Sequence, residues 1–125
     1  MNATSPASVG MLTMEAVFRV VLAEHQGGTL GRAALSRRIG AKRIRQDIDD
    51  HLAEGAVIEF DCMGADATQS FMDELVGILV LERGPAVLSR LRFRGCSQDM
   101  KAIINFVVSD RAGQFKRNPH LHAPR

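Results

Sequence analysis

Two adjacent carboxylates, Asp73 and Glu74, sit in the stretch ATQSFMDELVG, residues 67–77, among residues that otherwise belong in a core. Neighbouring acids could act as an acid/base pair, cap a helix, or form a docking stripe for a basic partner. Consecutive residues on a helix project about 100° apart, so the two cannot by themselves flank one reacting atom. No nucleophile, metal-ligand set or glycine-rich phosphate loop stands near them to give them a task. Capping is the plainer reading. Ser70 with Asp73 fits the S-x-x-[DE] box, and acids near a helix N-terminus gain ~0.3–1 kcal/mol from the dipole. A docking stripe of Ser70, Asp73, Glu74 and Gly77 is compatible with capping, the glycine leaving backbone open to close approach. The expectation is therefore a domain that is not an enzyme and uses no cofactor.

Other groups carry weaker chemistry. Arg32, Arg37, Arg38, Lys42, Arg43 and Arg45 form the densest basic cluster. On a helix Arg38, Lys42 and Arg45 share one flank, the arrangement of a nucleic-acid-binding regulator and the alternative to a protein-interaction role. Asp47, Asp49 and Asp50 follow within a turn, so a solvated face paired at i to i+4 explains the cluster more simply. Arg90, Arg92 and Arg94 add charge, but the chain has no Tyr or Trp to stack on bases, and its net charge is only +2. Nucleic acid is thus not the expected partner. Cys62 and Cys96 lack CxxC spacing or a nearby His, which points to free, partly buried thiols in a reducing compartment. His25 and His51 stand alone, and His120 with His122 supplies two ligands where a metal site needs more.

The elements that must position these groups follow from periodicity. With 125 residues and 46% apolar content the chain suits one domain, expected over residues 14–111 between polar tails at 1–13 and 112–125. MEAVFRVVLAEH reads as a strand, with helix as the alternative, and residues 31–35 could pair back on it through Gly27-Gly28. Ser36 offers an N-cap to a helix carrying the stripe Ala41, Ile44, Ile48 and Leu52, ended by Gly55. AVIEFD is a central strand. A second helix runs from about Thr68 to Arg83, its apolar residues Phe71, Met72, Leu75, Val76, Ile78, Leu79 and Val80 spread over roughly 200° of its surface. LRFRGC alternates as a half-exposed strand, and Ser97 caps a third helix with Met100, Ile103, Ile104, Val107 and Val108 on one face. The order argues for an α/β layer. No stretch approaches the ~18 apolar residues of a membrane helix and no signal-like start is present, so a cytoplasmic location without membrane contact is expected.

Three segments together carry a resemblance: SRRIGAKRIRQDID, AVIEFDCMGADA and SFMDELVG. They are similar to the bacterial STAS-like family of unknown function, related in fold to anti-sigma factor antagonists, over roughly Met14 to Arg111. The resemblance implies a small mixed sheet of about four strands with helices packed mainly on one face, and signalling through protein contacts. In the antagonists a Ser or Thr at the start of the helix after the central strand is phosphorylated by a kinase of GHKL-type ATPase fold. That position falls at Thr68, with Ser70 as the second hydroxyl. Here Ala67 precedes Thr68 and Asp66 stands one place off the antagonists' Asp-Ser-Ser-Gly pattern. The implied partner is a GHKL-type ATPase or sensor kinase docking on Asp66, Gln69, Asp73, Glu74 and Gly77. Monomer and homodimer are both open.

Overall fold

The computed structural model describes residues 15–26 and 38–118. Among them, three strands form the sheet: β1 (Val17–Val21), β2 (Val57–Asp61) and β3 (Leu91–Arg94), in the order β1-β2-β3 with both pairs parallel. The mixed sheet of about four strands is thereby corrected to three parallel strands among the described residues. Each pair is joined through a helical crossover, the connection that parallel neighbours require. The strand placed at 31–35, its Gly27-Gly28 turn and the Ser36 cap lie outside the described residues. β1 is shorter than the run MEAVFRVVLAEH suggests, because Leu22–Gln26 forms a 3-10 turn that tucks Leu22 wholly into the core.

Alternation along the strands separates two faces. Register places Phe18, Ile58 and Leu91 in one row and Val20, Phe60 and Phe93 in the next, all on one side. Ile58 and Phe60 are fully buried there, and Phe60 stacks on Phe93 at 4.9 Å between ring centres. The opposite side carries Arg19, Glu59, Asp61, Arg92 and Arg94. Arg19 bridges to Asp61 at 2.6 Å and to Glu59 at 3.6 Å, Arg94 reaches Glu59 at 3.0 Å, and Arg92 pairs with Glu15 at 2.7 Å. One face is a core and the other a ladder of ion pairs, so the helices pack on the first.

Helix α1 (Arg38–Ala53) ends as its sequence implies. Gly55 adopts φ 92°, its N–H bonds Leu52 O at 3.0 Å and the Ala56 N–H bonds His51 O at 3.0 Å, the Schellman arrangement. Arg90 adds a side-chain cap, donating to Leu52 O and Ala56 O at 2.6 and 2.8 Å. Between β2 and β3 runs one continuous central helix built from α2 (Gln69–Met72), a π segment (Asp73–Gly77) and α3 (Ile78–Arg83). A 3-10 turn, Pro85–Arg90, leads into β3. Helix α4 (Gln98–Arg117) starts at Ser97, whose hydroxyl accepts from the Met100 N–H at 3.1 Å.

The end of α4 corrects the boundary expected at residue 112, since residues 112–117 are helical. Phe115 lies over Gly84, where a Cβ would stand 3.0 Å from the ring. The contact anchors the last turns of α4 to the end of the central helix.

At the carboxyl ends of β2 and β3 the Cys62 N–H donates to Arg94 O at 2.8 Å, which brings the two cysteines into one neighbourhood. Cys62 is buried and Cys96 half-buried. Burial, then the neighbouring Cys96 and the Asp61 charge, raise the Cys62 thiol far above its ordinary 9.0. The folded state then holds this proton more tightly than the unfolded chain, so its contribution is intact below pH 9.0 and falls as pH rises above it. We expect reduced wild type to lose stability above that pH more steeply than Cys62→Ala, by about 1.4 kcal/mol per pH unit. Urea unfolding under reductant between pH 8 and 10 reads the difference.

Candidate functional site

Buried residues of the central helix come in pairs spaced by four: Phe71 and Met72, Leu75 and Val76, Leu79 and Val80, all fully buried. An α-helix turns every 3.6 residues, so such a pattern would drift off the core. The π segment takes up the difference, its wider turn shown by the Ile78 N–H bonding Asp73 O. All three pairs therefore stay in the core, and the helix flanks turn towards α1 and α4.

The two carboxylates occupy those flanks. Arg111 of α4 grips Asp73 with both arms of its guanidinium, Nε to Oδ1 at 2.8 Å and Nη2 to Oδ2 at 2.6 Å. Arg45 of α1 donates from Nη1 to the Glu74 carboxylate and to the Glu74 carbonyl oxygen, the latter at 2.7 Å. Hydrogen bonding to Asp73 holds the Arg111 guanidinium above its already high value. Gly77 is buried beside the first pair. A Cβ there would collide with Asp73 Oδ1 and stand 3.1 Å from Arg111 Cγ. The glycine thus makes room for an ion pair inside the molecule.

These contacts correct the exposed docking stripe. Asp73 is only 9% exposed, Glu74 is half-buried, and Gly77 is buried. The S-x-x-[DE] box gives way as well, since the cap is Thr68, whose Oγ1 accepts from the Phe71 N–H at 3.2 Å, while Asp73 turns to Arg111. Of the basic flank, one residue is corrected. Arg45 is buried and engaged with Glu74, its Nε without a partner, whereas Lys42 is exposed and the Arg38 side chain lies outside the described residues. A phosphate backbone cannot reach a guanidinium held in the interior. Of the arginines on β3, Arg92 and Arg94 remain exposed but are paired with acids.

What stays outside is the start of the helix. Asp66, Thr68, Gln69 and Ser70 are all exposed. Gln69 and Ser70, with Asp73 at the floor, line a cleft of about 110 Å³ whose far wall is Phe106, Val107 and Asp110 of α4. Phe106 is 55% exposed, an aromatic ring standing in solvent at the cleft edge. Ser70 has no side-chain hydrogen bond among the described residues. The Thr68 hydroxyl, by contrast, serves as the acceptor of the cap. Among the described residues no three His, Cys, Asp or Glu side chains converge as a metal site requires.

Arg111, Phe106 and Asp110 were not singled out from the sequence, though the first two left a trace. Arg111 follows Met100, Ile104 and Val107 on the buried stripe of α4, and a charge there calls for a partner. Phe106 stands off that stripe, an apolar residue on the polar side.

Among the described residues no helix is long and apolar enough to cross a membrane. No curated protein and no solved structure matches the chain. Residues 40–101, about half the chain, match the family model described as a STAS-like domain of unknown function (DUF4325). The match spans α1, β2, the central helix, β3 and the start of α4, and so includes Arg45, Glu74 and Gly77 but not Phe106 or Arg111. Through this stretch the chain belongs to the STAS-like domain family of unknown function.

Proposed function

We propose that the chain is a non-enzymatic regulatory module of STAS type that works in the cytoplasm by docking a protein partner on the N-terminal end of its central helix. The observation that carries this reading is the division of labour along that helix. Asp73, Glu74 and Gly77 are used internally, while Asp66, Thr68, Gln69 and Ser70 stand exposed, the last two beside the ring of Phe106. An aromatic anchor next to a polar rim is the usual composition of a protein interface centre. The partner, by resemblance to the antagonists, is a GHKL-type ATPase or sensor kinase.

Ser70 serves as the phosphate acceptor in this scheme, ahead of Thr68. A phosphoryl group on Ser70 would sit in the first turn of a helix, where backbone N–H groups and the dipole favour negative charge. It would also press on Asp73 and Asp110 across the cleft, changing what the surface can accept.

The test incubates the full chain with ATP and a GHKL-type ATPase encoded in a neighbouring gene, and reads sites by fragment mass spectrometry. A single phosphate on Ser70, absent in Ser70→Ala, is the expected result. An unmodified protein that still forms the complex removes the switch and leaves docking. Phe106→Ala should weaken that complex at least tenfold while leaving Tm within about 2 °C of wild type, because the ring is already in solvent. Equal affinity of variant and wild type would place the docking surface elsewhere.

A further inference from the structure

Cys62 and Cys96 stand 34 positions apart in sequence yet meet at the carboxyl ends of two paired strands. The turn after β3 brings them together. Gly95 adopts φ 69°, and a Cβ there would stand 3.2 Å from Met63 Cβ and 3.3 Å from its backbone N, so the chain at 94–96 lies directly against residues 62–63. Cys96 is among the groups that raise the Cys62 thiol, so the two side chains are near enough to interact across this contact. They differ in access. Cys62 is 1% exposed, whereas Cys96 lines a cleft of about 490 Å³ with Phe93, Lys101, Ile104 and Asn105.

We propose that Cys62 and Cys96 are a dithiol–disulfide site, oxidised by low-molecular-weight disulfides that enter the cleft and react first at Cys96. The Cys96 thiolate attacks one sulfur of the small disulfide, forming a mixed disulfide and expelling one thiolate. Cys62 then loses its proton to solvent, and its sulfur attacks the Cys96 sulfur and expels the second thiolate. In balance, two protein thiols and one small disulfide give one protein disulfide and two small thiols. Lys101 on the cleft wall offers a cation to a reagent carrying carboxylates. Only Cys96 needs access, so the burial of Cys62 fits its role as the resolving thiol. Because burial keeps Cys62 protonated, the second step is the slower and accelerates with pH. The bridge would tie the loop leading to Thr68 to the residue just before Ser97, joining the starts of the central helix and α4. Such a pair in a reducing compartment belongs to the transient, sensing kind of disulfide.

The experiment uses the reduced full chain and oxidised glutathione, with samples quenched by an alkylating agent over time. Intact mass and a non-reducing peptide map then locate each sulfur. A glutathione adduct on Cys96 should appear first and give way to a chain lacking two hydrogens, whose map holds a Cys62–Cys96 cross-linked peptide. Cys62→Ser should stop at the Cys96 adduct, and Cys96→Ser should react at least tenfold more slowly. An adduct on Cys96 that persists in wild type while Cys62 remains alkylatable after unfolding would overturn the proposal. Disulfides only between chains, or no reaction, would do the same. The wild-type map decides the matter alone should a variant fail to fold.

Discussion

Asp73→Ala is expected to destabilise the domain by about 3 kcal/mol, lowering Tm by roughly 10 °C. The loss comes less from the missing carboxylate than from the guanidinium it leaves behind. Arg111 donates two hydrogen bonds to Asp73 with its side chain only 19% exposed, and water would have to reach it in the substituted protein. A second change separates this cause from simple loss of packing. Replacing Arg111 by Met in the Asp73→Ala background removes the stranded charge, and at least half of the lost stability should return, as it does when both members of a buried pair become apolar. Asp73→Ala behaving like an exposed-acid substitution, within about 0.5 kcal/mol of wild type, would mean that the pair holds nothing together.

Gly77→Ala carries the second large effect, and its sign is the informative part. Inside a helix, alanine is normally better than glycine by about 1 kcal/mol. Here the new methyl would meet Asp73 Oδ1 and press on Arg111 Cγ at 3.1 Å. Overpacking of this kind costs about 1–3 kcal/mol, so against the alanine gain the net change should be a destabilisation of up to about 2 kcal/mol in a chemical unfolding experiment. The collision depends on the Asp73 side chain. In the Asp73→Ala background the same substitution should become neutral or stabilising. A stabilising Gly77→Ala in the wild-type background would show that the glycine is not there to admit the ion pair.

Much of the layer was readable from the chain, because the signals were local. Gly55 closes α1 through its positive φ, Ser97 caps α4, and Val57 to Asp61 alternates with neighbours of the same kind. The site was readable only in part, since the decisive contacts join residues 29 and 38 positions apart. Viewed on an ideal helix, Ser70, Asp73, Glu74 and Gly77 share an arc that looks exposed. Two facts hidden from that view reverse the assignment. The π segment re-aims the flanks, and Arg45 and Arg111 reach in from stripes that otherwise bury Ala41, Ile48, Leu52, Met100, Ile104 and Val107. An arginine on a buried stripe is a sequence-level mark of a buried acid elsewhere, and here the two arginines match the two acids. The three-strand count has a different origin, since residues 31–35 fall outside the described part of the chain.

The two pairs also explain how one short block can fix three helices. Adjacent residues on a helix diverge by about 100°, which is unsuited to a shared catalytic task but well suited to reaching two neighbours. Asp73 faces α4 and Glu74 faces α1, so the central helix is set in rotation and height by both. Its N-terminal end is then held at a fixed place beside Phe106, as the proposed docking would require.

The most direct test of this division of labour is a crossed set of double-mutant cycles on unfolding free energy, using alanine at Asp73 and Glu74 and methionine at Arg45 and Arg111. The pairs Asp73 with Arg111 and Glu74 with Arg45 should each show coupling above about 1.5 kcal/mol, and the crossed pairs Asp73 with Arg45 and Glu74 with Arg111 less than about 0.5 kcal/mol. Equal coupling in all four combinations, or none in the matched two, would contradict the account and return the carboxylates to the surface.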